Sequence, residues 1–178
     1  MKPFARTARF SVLTVTLLFA AFAHAQNYPA KSVRMIVPFP PGGISDTLAR
    51  VTAQQLSEYL PQQFVVDNRP GAGTTLAADV VAKSPPDGHT LYFTDVTTHA
   101  INASLYSKLP FDPVKDFTGI SKLNAEVGNM LKQPKVQEQW ARYGASPVSM
   151  SPAQVTDHVR SEINKFAVVV KASGARID

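Results

Sequence analysis

The stretch Val33–Arg50 constrains the fold more than any other part of the sequence. It opens with the short apolar run VRMIVPF, which has the length of one buried strand. The Pro and Gly residues of PFPPGG then interrupt regular structure, and Ser45 or Asp46 can cap a helix that continues through Leu48. A strand that ends at a helix N-terminus presents unpaired N–H groups and the positive end of the helix dipole. The stretch therefore predicts a strand–loop–helix unit that can hold a small carboxylate, and an ordinary turn without a ligand is the alternative.

The alternation of strand and helix continues to about residue 94. Apolar residues at helical spacing predict a first helix that ends near Pro61, followed by a strand at Phe64–Val66. A small-residue loop at Gly71–Thr75 leads into a helix at Leu76–Lys83, and a cluster of breakers then precedes a third strand at Thr90–Thr94. The order βαβαβ predicts an α/β fold with a parallel sheet and right-handed crossovers.

Three loops leave the carboxyl ends of the predicted strands. They are Pro38–Asp46, Gly71–Thr75 and Thr94–His99. Open parallel sheets bind their ligands outside the carboxyl ends of the strands. We therefore expect these three loops to converge on one binding site.

Beyond the third strand the pattern is weaker. Ile101–Phe117 is expected to be a loop, a helical segment begins near Ser121, and a turn is expected over Pro134–Tyr143. The pair Ser151–Pro152 can cap and start an amphipathic helix, and Gly174 is placed to end it.

Residues 1–25 have the pattern of a secretory signal peptide. Three basic residues precede the apolar run Phe10–Ala21, which is too short to span a bilayer, and Ala23–Ala25 is a small-residue cleavage site. We expect an exported protein that is cleaved after Ala25. The signal supplies three of the net +5 charges, which leaves +2 on the mature chain. That charge is too small to indicate a nucleic-acid partner.

Several kinds of chemistry find no support in the sequence. The absence of cysteine excludes a disulfide scaffold and thiol catalysis. The glycine-rich loops match neither the P-loop nor the dinucleotide fingerprint, so no cofactor is expected. Ser45, Asp95 and His99 could form a hydrolase triad, but no G-x-S-x-G elbow surrounds the serine. His89 and His99 lack the spacing of paired metal ligands, so neither a catalytic nor a metal site is predicted.

Several motifs together resemble the Bug family, the extracytoplasmic solute receptors of the tripartite tricarboxylate transporter family. The N-terminal matches are YPAKSVRMIVPFPPGGISDTLAR at Tyr28–Arg50, VVDNRPGAG at Val65–Gly73, VAKSPPDGHTL at Val81–Leu91 and LYSKLPFDPVKDF at Leu105–Phe117. The tail is similar to the C-terminus of the family through KLNAEV, the segment Pro134–Gly144, and SPAQV to VVKASGARID. The resemblance covers nearly the whole mature chain.

The resemblance implies a fold of which only part is present. Bug receptors are Venus-flytrap proteins of the periplasmic-binding-protein type (type II), with two α/β domains and roughly 300 residues. Here the N-terminal pattern stops near residue 120 and the C-terminal pattern follows at once, as after a large internal deletion joined around Thr118–Ser121. We expect residues 26–120 to be the N-terminal part of the first lobe and residues 121–178 the C-terminal helical segment, with the second lobe missing. Low stability and weak or no ligand binding are expected.

The resemblance also implies a role. The expected protein is a periplasmic, monomeric receptor without enzymatic activity, which delivers a small carboxylate to the membrane subunits of a tripartite tricarboxylate transporter. Two alternatives remain open, namely a non-functional remnant with the same ancestry and a small exported hydrolase.

The resemblance implies that residues in three loops contact the ligand. The family's first loop binds a ligand carboxylate through backbone N–H groups and ordered water. The matching residues are Phe39, Pro40, Pro41, Gly42, Gly43 and Asp46 in the first loop, Gly71, Gly73, Thr74 and Thr75 in the second, and Thr94, Asp95 and Thr97 in the third. Asp46 can be a helix cap or a ligand contact. The family often has Gly where Thr74 stands, which predicts a stiffer second loop. Asp95 would repel an anion, which indicates either a different ligand or a solvated loop.

Overall fold

The computed structural model describes residues 28–117, 127–146 and 148–177. The predicted signal peptide and the junction around Thr118–Ser121 lie outside these residues. The strands and helices are β1 (Val33–Val37), α1 (Ile44–Tyr59), β2 (Phe64–Asn68), α2 (Thr75–Ala82), β3 (Thr90–Tyr92), α3 (Val96–Leu105), α4 (Pro134–Ala141) and α5 (Pro152–Ser173). A short turn, Ala72–Thr74, precedes α2, and residues 127–131 are helical.

The strands form one parallel sheet in the order β2-β1-β3. β1 pairs with β2 from Val33↔Phe64 to Val37↔Asn68, and with β3 from Arg34↔Thr90 to Ile36↔Tyr92. The predicted α/β fold with a parallel sheet is confirmed. Because the strands are parallel, their carboxyl ends and the loops that follow them lie at one edge of the sheet.

The central strand is buried on both faces, which explains its nearly continuous apolar run. Val33, Met35 and Val37 point to one face and pack in a cluster with apolar residues of α1, among them Leu56. Ile36 points to the other face, which α2 covers, and is completely buried. The sheet therefore lies between α1 on one face and α2 on the other.

Residues 127–141 complete the apolar cluster. Met130, Leu131 and Val136 are buried in it together with the residues of β1 and α1. The predicted turn over Pro134–Tyr143 is wrong, because this segment forms the two-turn helix α4. Proline is tolerated in the first helical turn, and the apolar pair Val136 and Trp140, four residues apart, packs on the cluster.

Helix α3 occupies a region that the sequence predicts to be a loop. It runs from Val96 to Leu105, so the loop prediction for Ile101–Phe117 is wrong in its first part. The Asp95 carboxylate caps the helix by accepting a hydrogen bond from the Thr98 N–H at 2.6 Å. The sequence shows no apolar stripe for α3, because the buried residues of the helix are His99, Ala100 and Asn102, two of which are polar.

Helix α5 lies on the surface against α3. Its predicted ends are confirmed: Ser151 and Gln154 form a capping box, and Gly174 ends the helix with φ of +69°. The chain then returns to α3, where the Ile177 N–H donates to the Leu105 carbonyl at 2.9 Å. None of the α5 residues is fully buried, and Val168 is 69% exposed.

We predict that truncating Met130 destabilises the whole domain. Met130 is 1% exposed, so Met130→Ala should lower the free energy of unfolding by about 2–5 kcal/mol in urea denaturation. The control Val168→Ala, at an exposed position, should change it by no more than about 0.5 kcal/mol. Equal effects of the two substitutions would show that the segment after the junction does not fold with the sheet.

Candidate ligand-binding site

The loop after β1 carries the first set of predicted site residues. Its backbone at Pro41, Gly42 and Gly43 is exposed, and Phe39 is half-buried against the apolar cluster. Gly42 has φ of +88°, a left-handed conformation that glycine adopts without strain. The loop therefore presents bare backbone to solvent at the carboxyl edge of the sheet.

Helix α1 begins at Ile44, so the prediction that Ser45 or Asp46 caps it is wrong. Gly43 is the N-cap residue, and no side chain accepts a hydrogen bond there. Asp46 lies instead in the first turn of the helix, where a carboxylate also stabilises the positive end of the dipole. The uncapped start of α1 leaves N–H groups from which an anion can accept hydrogen bonds.

The Asp46 carboxylate ties the first loop, α1 and β2 together. Asp46 is 4% exposed. One oxygen accepts from the Gly42 N–H at 2.9 Å and from Arg50 Nε at 3.1 Å, and the other accepts from Asn68 Nδ2 at 2.9 Å. The hydrogen bond from Arg50 is the largest cause that holds the pKa of Asp46 at about 2; burial opposes it, and the bonds from Gly42 and Asn68 add to it. The structure thus gives Asp46 a role in positioning the loop, and a direct ligand contact stays a prediction.

Asn68 at the end of β2 fastens the loop from its other side. Its Nδ2 donates to the Phe39 carbonyl at 3.0 Å as well as to Asp46. The Asn68 Oδ1 in turn accepts from the Arg50 guanidinium at 3.0 Å. Sequence reasoning missed both Asn68 and Arg50. The spacing of Asp46 and Arg50, four residues apart on a helix, was a signal for that pair, but nothing local points to Asn68.

The second loop has an unusual backbone. Gly71, Ala72, Gly73 and Thr74 all have positive φ, at +131°, +46°, +58° and +78°. This conformation costs free energy for residues with a side chain, most of all for a β-branched threonine. The loop is held by hydrogen bonds from α3, and Thr74 and Thr75 are buried while the two glycines are exposed. No side chain caps α2 at its N-cap residue, Thr74.

The third set of predicted residues belongs to the start of α3 and not to an open loop. Thr94 is half-buried before the helix, Asp95 is its N-cap, and Thr97 is exposed in its first turn. The Asp95 carboxylate is turned toward the N–H groups of its own helix. The expectation of a loop over Thr94–His99 is therefore wrong beyond Asp95.

The three sets of residues lie along one edge but not in one enclosed cavity. The Arg69 N–H, which precedes the second loop, donates to the Val37 carbonyl at the end of β1 at 2.8 Å, and the second loop is linked to α3 through Asn102. A groove of about 850 Å³ runs along the outer edge of β3 to Val155 and Val159 of α5. Among the predicted site residues only Thr94 lines it. The first two loops face solvent on the open side of the sheet edge.

His99 belongs to an aromatic cluster beneath the third set. Its ring packs against Tyr92, Phe111 and Phe117, with the ring centroids 5.0–6.1 Å apart. Its Nε2 donates to the Pro113 carbonyl at 2.9 Å, and burial lowers the pKa of the imidazole.

The structure does not assemble the triad that the sequence contains. Within residues 28–117 no hydrogen bond joins Ser45, Asp95 and His99 side chains to one another. Among the described residues no group of three or more His, Asp or Glu side chains could hold a metal ion. In the same part of the chain, no helix has both the length and the apolar character needed to cross a membrane.

A protein-family model described as the tripartite tricarboxylate transporter family receptor matches residues 48–136. The match runs from α1 across the junction to α4. The chain belongs to this receptor family. The resemblance to Bug receptors, drawn from the sequence motifs, is thereby confirmed.

Relatives of this receptor family are longer than the chain. The protein BugT of Bordetella pertussis is 37% identical over 131 residues, which are 73% of this chain and 40% of that protein. The periplasmic binding protein BugD is 34% identical in its solved structure, with a TM-score of 0.50 over 52% of this chain and 31% of that chain. The chain thus spans about two fifths of the length of the curated relatives it matches.

The fold itself has a more complete counterpart among solved structures. A structure described as a periplasmic transporter covers 85% of this chain and 100% of its own, with a TM-score of 0.71 and 18% identity. At this identity the likeness shows the fold alone.

We predict that removing the Asp46 charge weakens the fold. Asp46→Asn keeps the shape but loses the charge-assisted bonds, so the free energy of unfolding should fall by about 2 kcal/mol near neutral pH. Because the folded pKa is depressed, the contribution of Asp46 is present above pH 3.8 and is lost as the pH falls toward about 2. The variant should lack this part of the acid dependence in denaturant titrations. Asp157→Asn, at an exposed position of α5, is the control, and an equal loss there would contradict the role of Asp46.

We also predict that the buried His99 makes stability depend on pH near neutrality. Its folded pKa lies below 6.5, so the stabilisation is complete above pH 6.5 and falls as the pH drops through the folded value. Melting temperatures from about pH 8 to about pH 5 should show this fall, and His99→Gln should flatten it. The exposed His158→Gln should keep the slope of the parent chain. An unchanged slope in His99→Gln would contradict the assignment.

Proposed function

We propose that the chain is a periplasmic solute-binding receptor that takes a small carboxylate at the carboxyl edge of its sheet and feeds a tripartite tricarboxylate transporter. Membership in the receptor family supports binding and delivery of a solute over catalysis. The predicted signal peptide supports a periplasmic location. We propose no enzymatic activity, and we propose that the receptor is a monomer.

The observation that carries the proposal is the pair of uncapped helix starts at one sheet edge. α1 and α2 both begin there without a side-chain cap. α1 directly follows the exposed Gly43, whereas the buried N-cap Thr74 separates α2 from the exposed Gly73. The start of α1 favours an anion by its N–H groups and by its dipole. At the start of α2 the Thr75 N–H already donates to the Ala72 carbonyl, and the dipole adds to the preference. The third helix start differs, because Asp95 already caps α3. A small carboxylate therefore fits best between the first and second loops, with Gly43 and Gly73 as backbone contacts.

A carboxylate also fits the charge at this edge. The charges of Asp46 and Arg50 are paired with each other, so neither dominates the field there. A single lobe provides contacts on only one side of the ligand, so we propose weaker binding than a two-lobed receptor would give.

One observation favours the alternative of a non-functional remnant. The chain spans 40% of its relative BugT, and β2 and β3 are both outer strands of the sheet that the described residues form. An uncovered sheet edge promotes association of chains. For this alternative we expect no carboxylate binding at the sheet edge and association of the chain in solution.

Calorimetry with succinate and citrate tests the proposal on the whole chain. Succinamide, which has the length of succinate without its charge, is the control ligand. The proposal predicts binding of at least one carboxylate and none of succinamide. If neither carboxylate binds a chain that melts cooperatively, the remnant is the better account.

We predict that Gly43→Asp abolishes carboxylate binding without weakening the fold. The backbone of Gly43, with φ of −76°, accepts a side chain, and a Cβ there would meet only the Pro40 carbonyl at 3.7 Å. Aspartate is a better N-cap than glycine, so its carboxylate should take the N–H groups of α1 in place of a ligand. Affinity for succinate should fall by at least about tenfold, about 1.4 kcal/mol, while the melting temperature holds or rises.

Gly43→Ala is the matched control, because it adds the Cβ without a capping group or a charge. It should retain most of the succinate affinity. If Gly43→Asp binds succinate as tightly as Gly43→Ala, the start of α1 is not the anion site.

A further inference from the structure

The backbone of the second loop is strained and must be held from outside. Ala72 and Thr74 carry side chains and have φ of +46° and +78°, a conformation that residues with a side chain adopt only at a cost in free energy. Such residues persist only where the surrounding structure fixes them. Within the loop, the Thr74 N–H donates to the Gly71 carbonyl at 2.9 Å and the Thr75 hydroxyl to the Ala72 carbonyl at 2.7 Å. The remaining restraints come from α3.

Asn102 supplies the first restraint. Its side chain is 5% exposed, and its Nδ2 donates both protons, to the Gly73 carbonyl at 2.6 Å and to Thr74 Oγ1 at 3.0 Å. A carbonyl can only accept, so the amide nitrogen must face the loop. Thr74 Oγ1 also shares a hydrogen bond with the side chain of Tyr92, so both hydrogen bonds of this hydroxyl lie within the fold.

Tyr106, at the end of α3, supplies the second restraint. Its hydroxyl donates to the Ala72 carbonyl at 2.9 Å. The C=O of one residue and the N–H of the next point in opposite directions across a trans peptide, so this bond turns the Gly73 N–H away from Tyr106. A Cβ on Gly73 would lie 2.6 Å from the Tyr106 hydroxyl oxygen, so only glycine fits while that hydroxyl is in place.

The C-terminal residues fix the position of Tyr106. The Ile177 N–H donates to the Leu105 carbonyl at 2.9 Å, and the Ser107 N–H donates to the Ile177 carbonyl at 3.2 Å. These bonds form a bridge between Tyr106 and Ile177. The segment that follows the junction therefore supports the second loop through α3.

We propose that Asn102 and Tyr106 are positioning residues, which lock the turn Gly71–Thr74 so that the Gly73 N–H is set as a donor to a bound carboxylate. The role in binding rests on the proposed function of this edge. The lock itself is a property of the chain without a ligand.

Amide hydrogen exchange on the ligand-free, full chain tests the lock. In Asn102→Asp a carboxylate oxygen replaces the donating nitrogen and faces the Gly73 carbonyl. Loss of one such bond is worth about a factor of ten, so the Thr74 and Thr75 amides should exchange at least about tenfold faster. Ser57→Ala is the control, since it removes a comparable bond, from the Phe64 N–H to Ser57 Oγ at 2.9 Å, at the opposite end of the sheet. It should leave loop exchange and succinate affinity unchanged, whatever it does to the melting temperature.

A pair of substitutions tests the lock without a buried charge. Gly73→Ala should displace the turn, because its methyl group meets the Tyr106 hydroxyl, and should weaken succinate binding by about tenfold. Adding Tyr106→Phe to Gly73→Ala removes the obstructing oxygen and should recover part of the affinity, although Tyr106→Phe alone weakens binding. This non-additive recovery supports the contact, and strictly additive losses overturn it.

The outcomes separate the lock from the proposed function. Parent-like exchange at Thr74 and Thr75 in a folded Asn102→Asp chain overturns the lock. Faster exchange with unchanged succinate affinity overturns the positioning role. If the parent chain binds neither succinate nor citrate, the proposed function and the positioning role both fail, and faster exchange in Asn102→Asp still supports the lock.

Discussion

The buried carboxylate of Asp46 is the interaction on which the carboxyl edge of the sheet depends. It joins the loop after β1, the first turn of α1 and the end of β2 through Gly42, Arg50 and Asn68. A buried carboxylate is stable only when its oxygens find such partners. Since Asp46 uses the Gly42 N–H, it shapes the loop but leaves the exposed start of α1 free for another anion. Asp46 thus removes the Gly42 N–H from the groups that a ligand can bind.

The second loop depends on a different kind of support. The positive φ of Ala72 and Thr74 is costly, and the side chains of Asn102 and Tyr106 compensate for it from 28 to 34 positions away in sequence. The first loop is held by a charge and the second by neutral hydrogen bonds. Acid should therefore loosen the first loop before the second, because only Asp46 among these contacts titrates with a depressed pKa.

The sequence predicts the fold where the pattern is local. The apolar run of β1, the glycines after it and the Ser151 cap of α5 are signals within a few residues, and the structure confirms each of them. α3 was missed because its buried face carries His99 and Asn102 in place of an apolar stripe. The contacts that shape the site, Asn68 with Phe39 and Asn102 with Gly73, join residues 29 positions apart, and no local pattern encodes such pairs. The roles of the predicted site residues as ligand contacts stay predictions.

The most direct test of a carboxylate site at this sheet edge is a map of amide NMR shifts during a succinate titration of the whole chain. We predict saturable shifts at Gly43, Ile44, Ser45 and Gly73, and no comparable shifts with succinamide. Shifts confined to the groove lined by Tyr92 and Val159, or no saturable shift at all, would contradict the account.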